Sequence, residues 1–192
     1  MAGLDFVEKT LPSDDPSTRA ELLLLSPSFL VPCLRHDGAT VWDTLAIAEY
    51  LHKLIPAARL LPFDRIARAR CRAVCGEMHS GFINLRAALP MNLKASHPGF
   101  KIGAGAQADI DRIVAIWRDC LTLSNGPYLF GDLSVADAMH APVCGRFRTY
   151  AVKLDAQYAA YRGRILALPF MLEWVNAAKT EPDEVEDLDA EF

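Results

Sequence analysis

Two dipeptides in the first third of the chain carry groups that could bind a small charged ligand. Asp43-Thr44 stands directly before a segment with helical apolar spacing, where a helix would begin. The Thr44 hydroxyl and the N–H groups of that first turn could bind a carboxylate, and the Asp43 carboxylate could pair with an ammonium group. Both residue types are also common N-caps, so a purely capping role is the alternative interpretation.

Val31-Pro32 lies just before this pair, with Pro32 eleven positions ahead of Asp43. When an X-Pro bond is cis, it turns the strand so that the preceding residue can present its N–H and C=O to an extended peptide. A proline at the start of an ordinary edge strand is the alternative. Two short β-type segments and an Asp37-Gly38 turn connect the dipeptides. We therefore expect a hairpin that forms a peptide-binding corner with the helix that follows it.

A third set of reactive side chains, Cys71, Cys75 and His79, is spaced four residues apart on one predicted helix. These side chains would share a face and could be metal ligands. One straight helix seldom directs three ligands to a tetrahedral ion, however, and no other segment offers a Cys/His pair. We therefore expect no metal. The five cysteines include no CxxC pair, which indicates reduced thiols rather than a disulfide framework.

Charge is distributed unevenly along the 192 residues. Seven acidic residues and no basic one lie between positions 181 and 191, so the rest of the chain carries about +3 although the total is −4. This weak, unclustered charge argues against nucleic-acid binding. No apolar segment approaches the roughly 18 residues of a membrane span, and no secretory signal is visible. We expect a cytoplasmic protein that binds neither nucleic acid nor membrane, with a solvated acidic tail over residues 181–192.

Periodicity divides the chain into two regions. Residues 1–62 mix short β-type segments, including a predicted edge strand over residues 4–10, with a helix over residues 43–54. Residues 66–180 are helical almost throughout, beginning with one long helix from Val74 to Leu89 that Pro90 ends. Ser134 and Asp137 have capping-box spacing at the start of a later helix, and loss of either side chain should cost about 1 kcal/mol or more. The sequence predicts a small α/β domain followed by an all-helical bundle.

The succession of Val31-Pro32, the Asp-Gly turn and the Asp43-Thr44 helix resembles the glutathione-binding half of the glutathione transferase family. That half is a thioredoxin-like domain with a Val-Pro dipeptide followed by an acidic-hydroxyl pair. Two more segments are similar to the family: YLFGDLSVADAMHAPVCGRFRTY over residues 128–150, and EMHSGFINLRAALPMN over residues 77–92, which resembles a bacterial branch. The resemblance implies an incomplete thioredoxin-like domain, lacking a counterpart of the first strand and most of the first helix, followed by a C-terminal helical bundle.

The resemblance also implies a ligand and its binding residues. Glutathione would be the co-substrate, with Val31 and Pro32 beside its cysteine residue and Asp43 and Thr44 at its γ-glutamyl end. In the family, the segment of residues 128–150 forms the core of the helical domain. Its capping box would therefore be structural.

Three residues of the first bundle helix, Met78, Phe82 and Arg86, would line a pocket for a small electrophile or border a dimer interface. An apolar stripe on a helix is more often plain core. The family activates the glutathione thiol with a hydroxyl or thiol at the end of the first strand, which has no counterpart here, so no catalytic residue is predicted.

The predicted function is a homodimeric enzyme of detoxification that conjugates the glutathione thiolate to small hydrophobic electrophiles. The alternative is a non-catalytic member of the same family that serves as a ligand-binding or protein-association module.

Overall fold

The computed structural model describes residues 3–11, 18–26, 28 and 31–181. The chain divides into two compact units, Met1–Phe63 and Asp64–Phe192, which we call unit 1 and unit 2. All of the expected acidic tail beyond Glu181 lies outside the described residues. Within the described part of the chain, no helix has both the length and the apolar character needed to cross a membrane.

Unit 1 contains a β-hairpin between helices. Its elements are α1 (Thr18–Leu25), β1 (Cys33–His36), β2 (Ala39–Trp42), α2 (Thr44–Leu54) and a 3-10 turn over Pro56–Ala58. The two strands pair antiparallel. Asp37 and Gly38 both have positive φ, 45° and 78°, which is the type I′ geometry that matches the twist of a two-residue hairpin.

The predicted edge strand over residues 4–10 is wrong. These residues form no strand, and within the described residues no strand lies beside them to accept a ladder of hydrogen bonds. Their apolar side chains stay in solvent: Phe6 is 79% exposed and Val7 is 98% exposed.

Unit 2 is all-helical. Its helices are α3 (Arg65–Ser80), α4 (Ile83–Ala88), α5 (Ala104–Ser124), α6 (Val135–Thr149), α7 (Ala156–Leu166) and α8 (Pro169–Thr180). The core is built around Trp117 of α5, whose ring centroid lies 5.5 Å from that of Phe147 and 4.9 Å from that of Tyr161. All three of these aromatic side chains are fully buried, so α5, α6 and α7 meet in one apolar interior.

The long helix predicted from Val74 to Leu89 is broken in two. Gly81 adopts an extended conformation, and Phe82 has a left-handed one with φ 61°. A Cβ at Gly81 would come within 2.7 Å of the Glu77 carbonyl oxygen, so this bend needs a residue without a side chain. The break separates α3 from the six-residue α4 and exposes the carbonyl groups at the end of α3.

Candidate functional site

The hairpin of unit 1 brings the two dipeptides to the same end. Cys33 pairs with Trp42 in the strand register. Pro32 directly precedes this pair and Asp43 directly follows it, so both dipeptides adjoin the last pair of the hairpin. Paired residues in an antiparallel ladder lie about 5 Å apart between Cα atoms, so Cys33 and Trp42 keep the two dipeptides at the same end of the hairpin, and we call these four residues the corner.

On the first side of this corner, the Val31-Pro32 peptide bond is cis, as the peptide-binding interpretation requires. The Val31 side chain is 71% exposed. Among the described residues, neither the Val31 N–H nor its carbonyl has a hydrogen-bond partner. This stretch of backbone can therefore pair with an extended peptide as an added strand would.

On the other side, the first turn of α2 combines a cap with unused donors. Asp43 Oδ1 accepts the N–H groups of Leu45 at 2.8 Å and Ala46 at 3.2 Å, so Asp43 does cap the helix. Within the described residues, the Thr44 N–H and hydroxyl have no hydrogen-bond partner. Both groups stand at the positive end of the helix dipole, where an anion is favoured.

Most of the predicted pocket in unit 2 is buried. Met78 is 2% exposed and Phe82 is 7% exposed, which is the burial of core residues, whereas Arg86 lies at the surface. Arg86 donates from Nη2 to the Met78 carbonyl at 2.5 Å and from Nε to the Gly81 carbonyl at 3.2 Å. Its guanidinium thereby satisfies carbonyl groups that the end of α3 leaves without partners.

Helices α5 and α6 hold α4 and the segment after it through hydrogen bonds to their backbone groups. Asp109 of α5 accepts the Leu85 N–H at 2.9 Å. From α6, the Arg146 guanidinium donates to the Leu89 carbonyl, and the Thr149 hydroxyl donates to the Asn92 carbonyl at 2.8 Å. Sequence reasoning missed Arg146, although two arginines in the last turn of α6, Arg146 and Arg148, were a visible signal.

The capping box of α6 has a larger set of partners than its two residues. The Asp137 carboxylate accepts the Ser134 N–H at 2.9 Å, the Ser134 hydroxyl at 3.0 Å and the Leu129 N–H at 3.0 Å. Burial raises the pKa of Asp137 above its ordinary value, and the surrounding donors oppose that effect. Asp137 is 1% exposed and its carboxylate accepts these hydrogen bonds, so the residue occupies a structural position.

The thiols of unit 2 are shielded. Cys71 and Cys75 are 0% and 2% exposed, and burial raises the pKa of Cys120 to about 11. All five cysteines are free thiols. No group of three or more His, Cys, Asp or Glu side chains able to hold a metal ion occurs among the described residues. A nucleophilic cysteine needs access to its substrate, which burial denies to these thiols, and the raised pKa of Cys120 further disfavours its thiolate.

A hairpin with an adjoining helix, followed by an all-helical unit, defines a two-domain protein of the α/β plus all-α class. Residues 1–54 match the family model described as the glutathione S-transferase N-terminal domain. The chain belongs to the glutathione S-transferase family, and unit 1 is its thioredoxin-like domain. The predicted family and fold class are confirmed.

Two curated relatives carry the same enzyme name. A probable maleylacetoacetate isomerase of Caenorhabditis elegans is 29% identical over 147 residues, which are 74% of this chain and 67% of the relative. The maleylacetoacetate isomerase of Rattus norvegicus is 30% identical, over 70% of this chain and 62% of the relative. The chain spans about two thirds of the length of these relatives.

Among solved structures, a glutathione transferase homolog from Burkholderia with bound glutathione superimposes with a TM-score of 0.68 at 27% identity. The match covers 92% of this chain and 84% of that one. A monomeric glutathione S-transferase of Necator americanus gives a TM-score of 0.69 at 18% identity, over 96% of this chain and 88% of that one, which shows the shared fold alone.

Proposed function

We propose that this chain binds glutathione at the corner formed by Val31, Pro32, Asp43 and Thr44, as a glutathione-dependent enzyme. The observation that supports the proposal is the pairing of Cys33 with Trp42, which keeps Val31-Pro32 and Asp43-Thr44 at the same end of the hairpin. Among the described residues, the Val31 backbone and the Thr44 donors have no hydrogen-bond partner. The corner thus offers an edge for a peptide backbone beside a helix N-terminus for a carboxylate. The Burkholderia relative with the same fold was solved with glutathione bound.

Each part of the tripeptide has a counterpart in this corner. The Val31 N–H and C=O would pair with the cysteine residue of glutathione, as in β-strand addition, with Pro32 fixing the turn. The Thr44 N–H and hydroxyl would donate to the γ-glutamyl carboxylate. Asp43 uses Oδ1 for the α2 cap, and its Oδ2 would accept from the γ-glutamyl ammonium group. Its negative charge also suits an ammonium better than a second anion.

The reaction we propose is attack of the glutathione thiolate on an electrophilic carbon of a small hydrophobic substrate. Arg86, the exposed member of the set predicted for unit 2, would line the substrate pocket, whereas Met78 and Phe82 belong to the core of unit 2. The thiol proton must leave before or during attack, because the thiolate is the nucleophile. We assign this activating role to no side chain among the described residues.

A second candidate reaction is isomerisation, which the name shared by the curated relatives favours. A thiolate that adds to an activated double bond and later leaves allows rotation about the bond in between. Glutathione is then recovered unchanged, whereas conjugation consumes it. Thiol titration during turnover separates the two reactions, since free thiol falls only in conjugation.

Calorimetric titration of glutathione into the purified chain tests the binding site. Thr44→Ala should weaken binding about tenfold, because a hydrogen bond to a charged group contributes about 1.5 kcal/mol or more. Asp43→Asn keeps a residue that caps helices and tolerates positive φ, but it removes the negative charge that would face the ammonium group. It should weaken binding to a similar degree.

Asp64→Asn is the matched control. Asp64 caps α3 by accepting the Ala67 N–H at 2.8 Å, as Asp43 caps α2, but it lies outside the proposed corner. Its substitution should leave glutathione affinity unchanged. If the unsubstituted chain does not bind glutathione, or if Asp64→Asn weakens binding as much as Asp43→Asn does, the assignment is wrong.

An assay with a generic aromatic halide then separates the enzyme from the alternative, a non-catalytic ligand-binding or association module. Turnover with release of halide supports the transferase. Glutathione binding without turnover of a halide or isomerisation of an activated alkene supports the module.

We also propose a homodimer in the cytoplasm. The free state of all five cysteines supports a reducing compartment. Light scattering coupled to size-exclusion chromatography measures the assembly, and a mass near 21.2 kDa, that of a single chain, would contradict the dimer.

A further inference from the structure

A lysine attaches the end of α8 to the loop between α4 and α5. Lys94 of that loop donates from Nζ to the Glu181 carbonyl at 2.8 Å, across 87 positions of the sequence. Glu181 is the C-cap residue of α8, and Lys94 is exposed, so the contact lies at the surface of unit 2. This contact fixes the place at which the chain leaves α8.

Two more cations lie beside the contact. Arg148, near the end of α6, donates from Nη2 to the Leu93 carbonyl at 3.4 Å, so its guanidinium reaches the residue directly before Lys94. Lys179 lies in the last turn of α8, two positions before Glu181. All three cations are exposed. We call Lys94, Arg148 and Lys179 the basic patch.

The charge of the basic patch is not balanced by the described part of the chain, where no carboxylate lies within ion-pairing distance of the three cations. Lys94 and Arg148 donate to backbone carbonyls, which accept a hydrogen bond but carry no net charge. Arg112 shows the contrast, because it pairs with the Glu77 carboxylate at 2.6 Å.

The sequence that follows Glu181 has the opposite charge. Residues 182–192 contain six acidic side chains and no basic one, and the first of the six, Asp183, is two positions beyond Glu181. Two residues span at most about 7 Å, so the bond from Lys94 to Glu181 keeps the start of this acidic segment next to the basic patch. A short tether of this kind gives an effective concentration on the order of millimolar.

We propose that the basic patch is a docking surface and that its occupant is the acidic segment of residues 182–192 of the same chain. Carboxylates would accept charge-assisted hydrogen bonds from the donors that Lys94 and Arg148 do not use on carbonyls. Exposed ion pairs are individually weak, but here several of them share one tether. The segment would join the end of α8 to the α4–α5 loop and to α6, in place of the solvated tail that composition alone favours.

Carbodiimide coupling tests the contact directly, because this zero-length reagent joins a lysine Nζ to a carboxylate only while the two groups touch. In the full chain, mass spectrometry of the digested product should find Lys94 coupled to residues 183–191. Lys101 and Lys153 are matched controls, since both are exposed lysines of unit 2 without a recorded contact to Glu181, and they should couple about tenfold less. Lys179 lies so close to the segment in sequence that its coupling only calibrates the reaction.

A mixture of unlabelled and 15N-labelled chains shows whose acidic segment Lys94 contacts. Coupling within one isotope supports docking in the same chain, whereas coupling between the isotopes assigns the occupant to a second copy and overturns the proposal. The proposal also fails if Lys179 couples and Lys94 does not. Equal coupling of Lys94, Lys101 and Lys153 would overturn it as well, because the segment would then have no preferred surface.

A neutral-tail variant tests the same surface by competition. It carries six substitutions, Asp183→Asn, Glu184→Gln, Glu186→Gln, Asp187→Asn, Asp189→Asn and Glu191→Gln. At low salt, polyglutamate should bind this variant about tenfold more tightly than the unsubstituted protein, and about 1 M salt should abolish the binding. Adding Lys94→Met and Arg148→Met to the variant should remove polyglutamate binding, whereas adding Lys101→Met and Lys153→Met should not. Equal binding to the variant and the unsubstituted protein would show that the acidic segment leaves the basic patch unoccupied.

Discussion

The Tyr161 hydroxyl donates to Asp137 Oδ1 at 3.0 Å, which joins α7 to the start of α6. The same carboxylate accepts from the Leu129 N–H and from both the N–H and hydroxyl of Ser134. Four donors from three segments thus share one buried acceptor. Asp137 therefore connects the capping box to the aromatic core through Tyr161, which packs on Trp117.

Asp137→Ala should lower the free energy of unfolding by at least about 3 kcal/mol, because it leaves several buried donors without an acceptor. Tyr161→Phe removes a single donor and should cost about 1–2 kcal/mol. Urea denaturation gives both values, and a double-mutant cycle of Tyr161→Phe with Asp137→Asn gives their coupling. A coupling energy near zero would mean that the contribution of the Tyr161 hydroxyl to stability does not depend on the Asp137 carboxylate.

The Ser134–Asp137 spacing was readable in the sequence because a capping box is a local motif of four residues. The link to Tyr161 was not, because it joins residues 24 positions apart through the packing of two helices. The helix α7 itself was missed. Tyr158, Tyr161 and Ile165, its buried residues, do have helical spacing, so the signal was present in the sequence.

The break between α3 and α4 shows a different limit of sequence reasoning. The apolar stripe from Val74 to Leu89 continues through Gly81 and Phe82 without losing its phase, so periodicity alone favoured one helix. The contacts that hold α4 at its Leu85 N–H and its Leu89 carbonyl come from Asp109 and Arg146, on helices that follow it in the chain. The hairpin of β1 and β2 was more predictable, because the turn at Asp37-Gly38 sets the strand register by itself.

Two glycine substitutions in α3 and at its end should have opposite effects. Gly81→Ala places a Cβ within 2.7 Å of the Glu77 carbonyl oxygen, and the resulting backbone shift should cost about 1–3 kcal/mol. A Cβ at Gly76 meets nothing within 4 Å, and alanine there should stabilise by about 0.5–1 kcal/mol through its helix propensity. Melting temperatures of the two variants should therefore move in opposite directions. If Gly81→Ala instead raised the melting temperature, the break between α3 and α4 would not be needed for stability.

The pair of Glu77 and Arg112 should contribute little despite its short contacts. Arg112 is the main cause that lowers the pKa of Glu77, but the two side chains are 36% and 52% exposed. We expect Arg112→Met to cost below about 1 kcal/mol at low salt and nearly nothing in about 1 M salt, where the screening length is short. Because the folded pKa of Glu77 is depressed, this contribution is present at neutral pH and is lost as the pH falls below about 4.5. A cost above about 2 kcal/mol that salt leaves unchanged would contradict this account.

His140 should make the protein less stable in mild acid. Its ring is fully buried, Nδ1 bonds the Ala136 carbonyl at 2.8 Å, and among the described residues Nε2 has no partner. Burial lowers the pKa of His140 from 6.5 to about 4, although the nearby charge of Glu77 opposes this. Between these values the unfolded chain binds a proton that the folded chain does not, so the free energy of unfolding falls as the pH falls, by up to about 3 kcal/mol.

His140→Gln separates this effect from the other acid-sensitive groups, because glutamine does not titrate whereas Asp137 and Glu77 remain in both proteins. The variant should start less stable at pH 7, since it disturbs a packed site beside Trp117. The loss of stability between pH 7 and pH 4.5 should then be smaller in the variant than in the unsubstituted protein. Urea denaturation at the two pH values measures both losses. Equal losses would mean that the His140 imidazole binds a proton as readily in the folded state as in the unfolded chain. Burial would then not lower its pKa, and this account would be wrong.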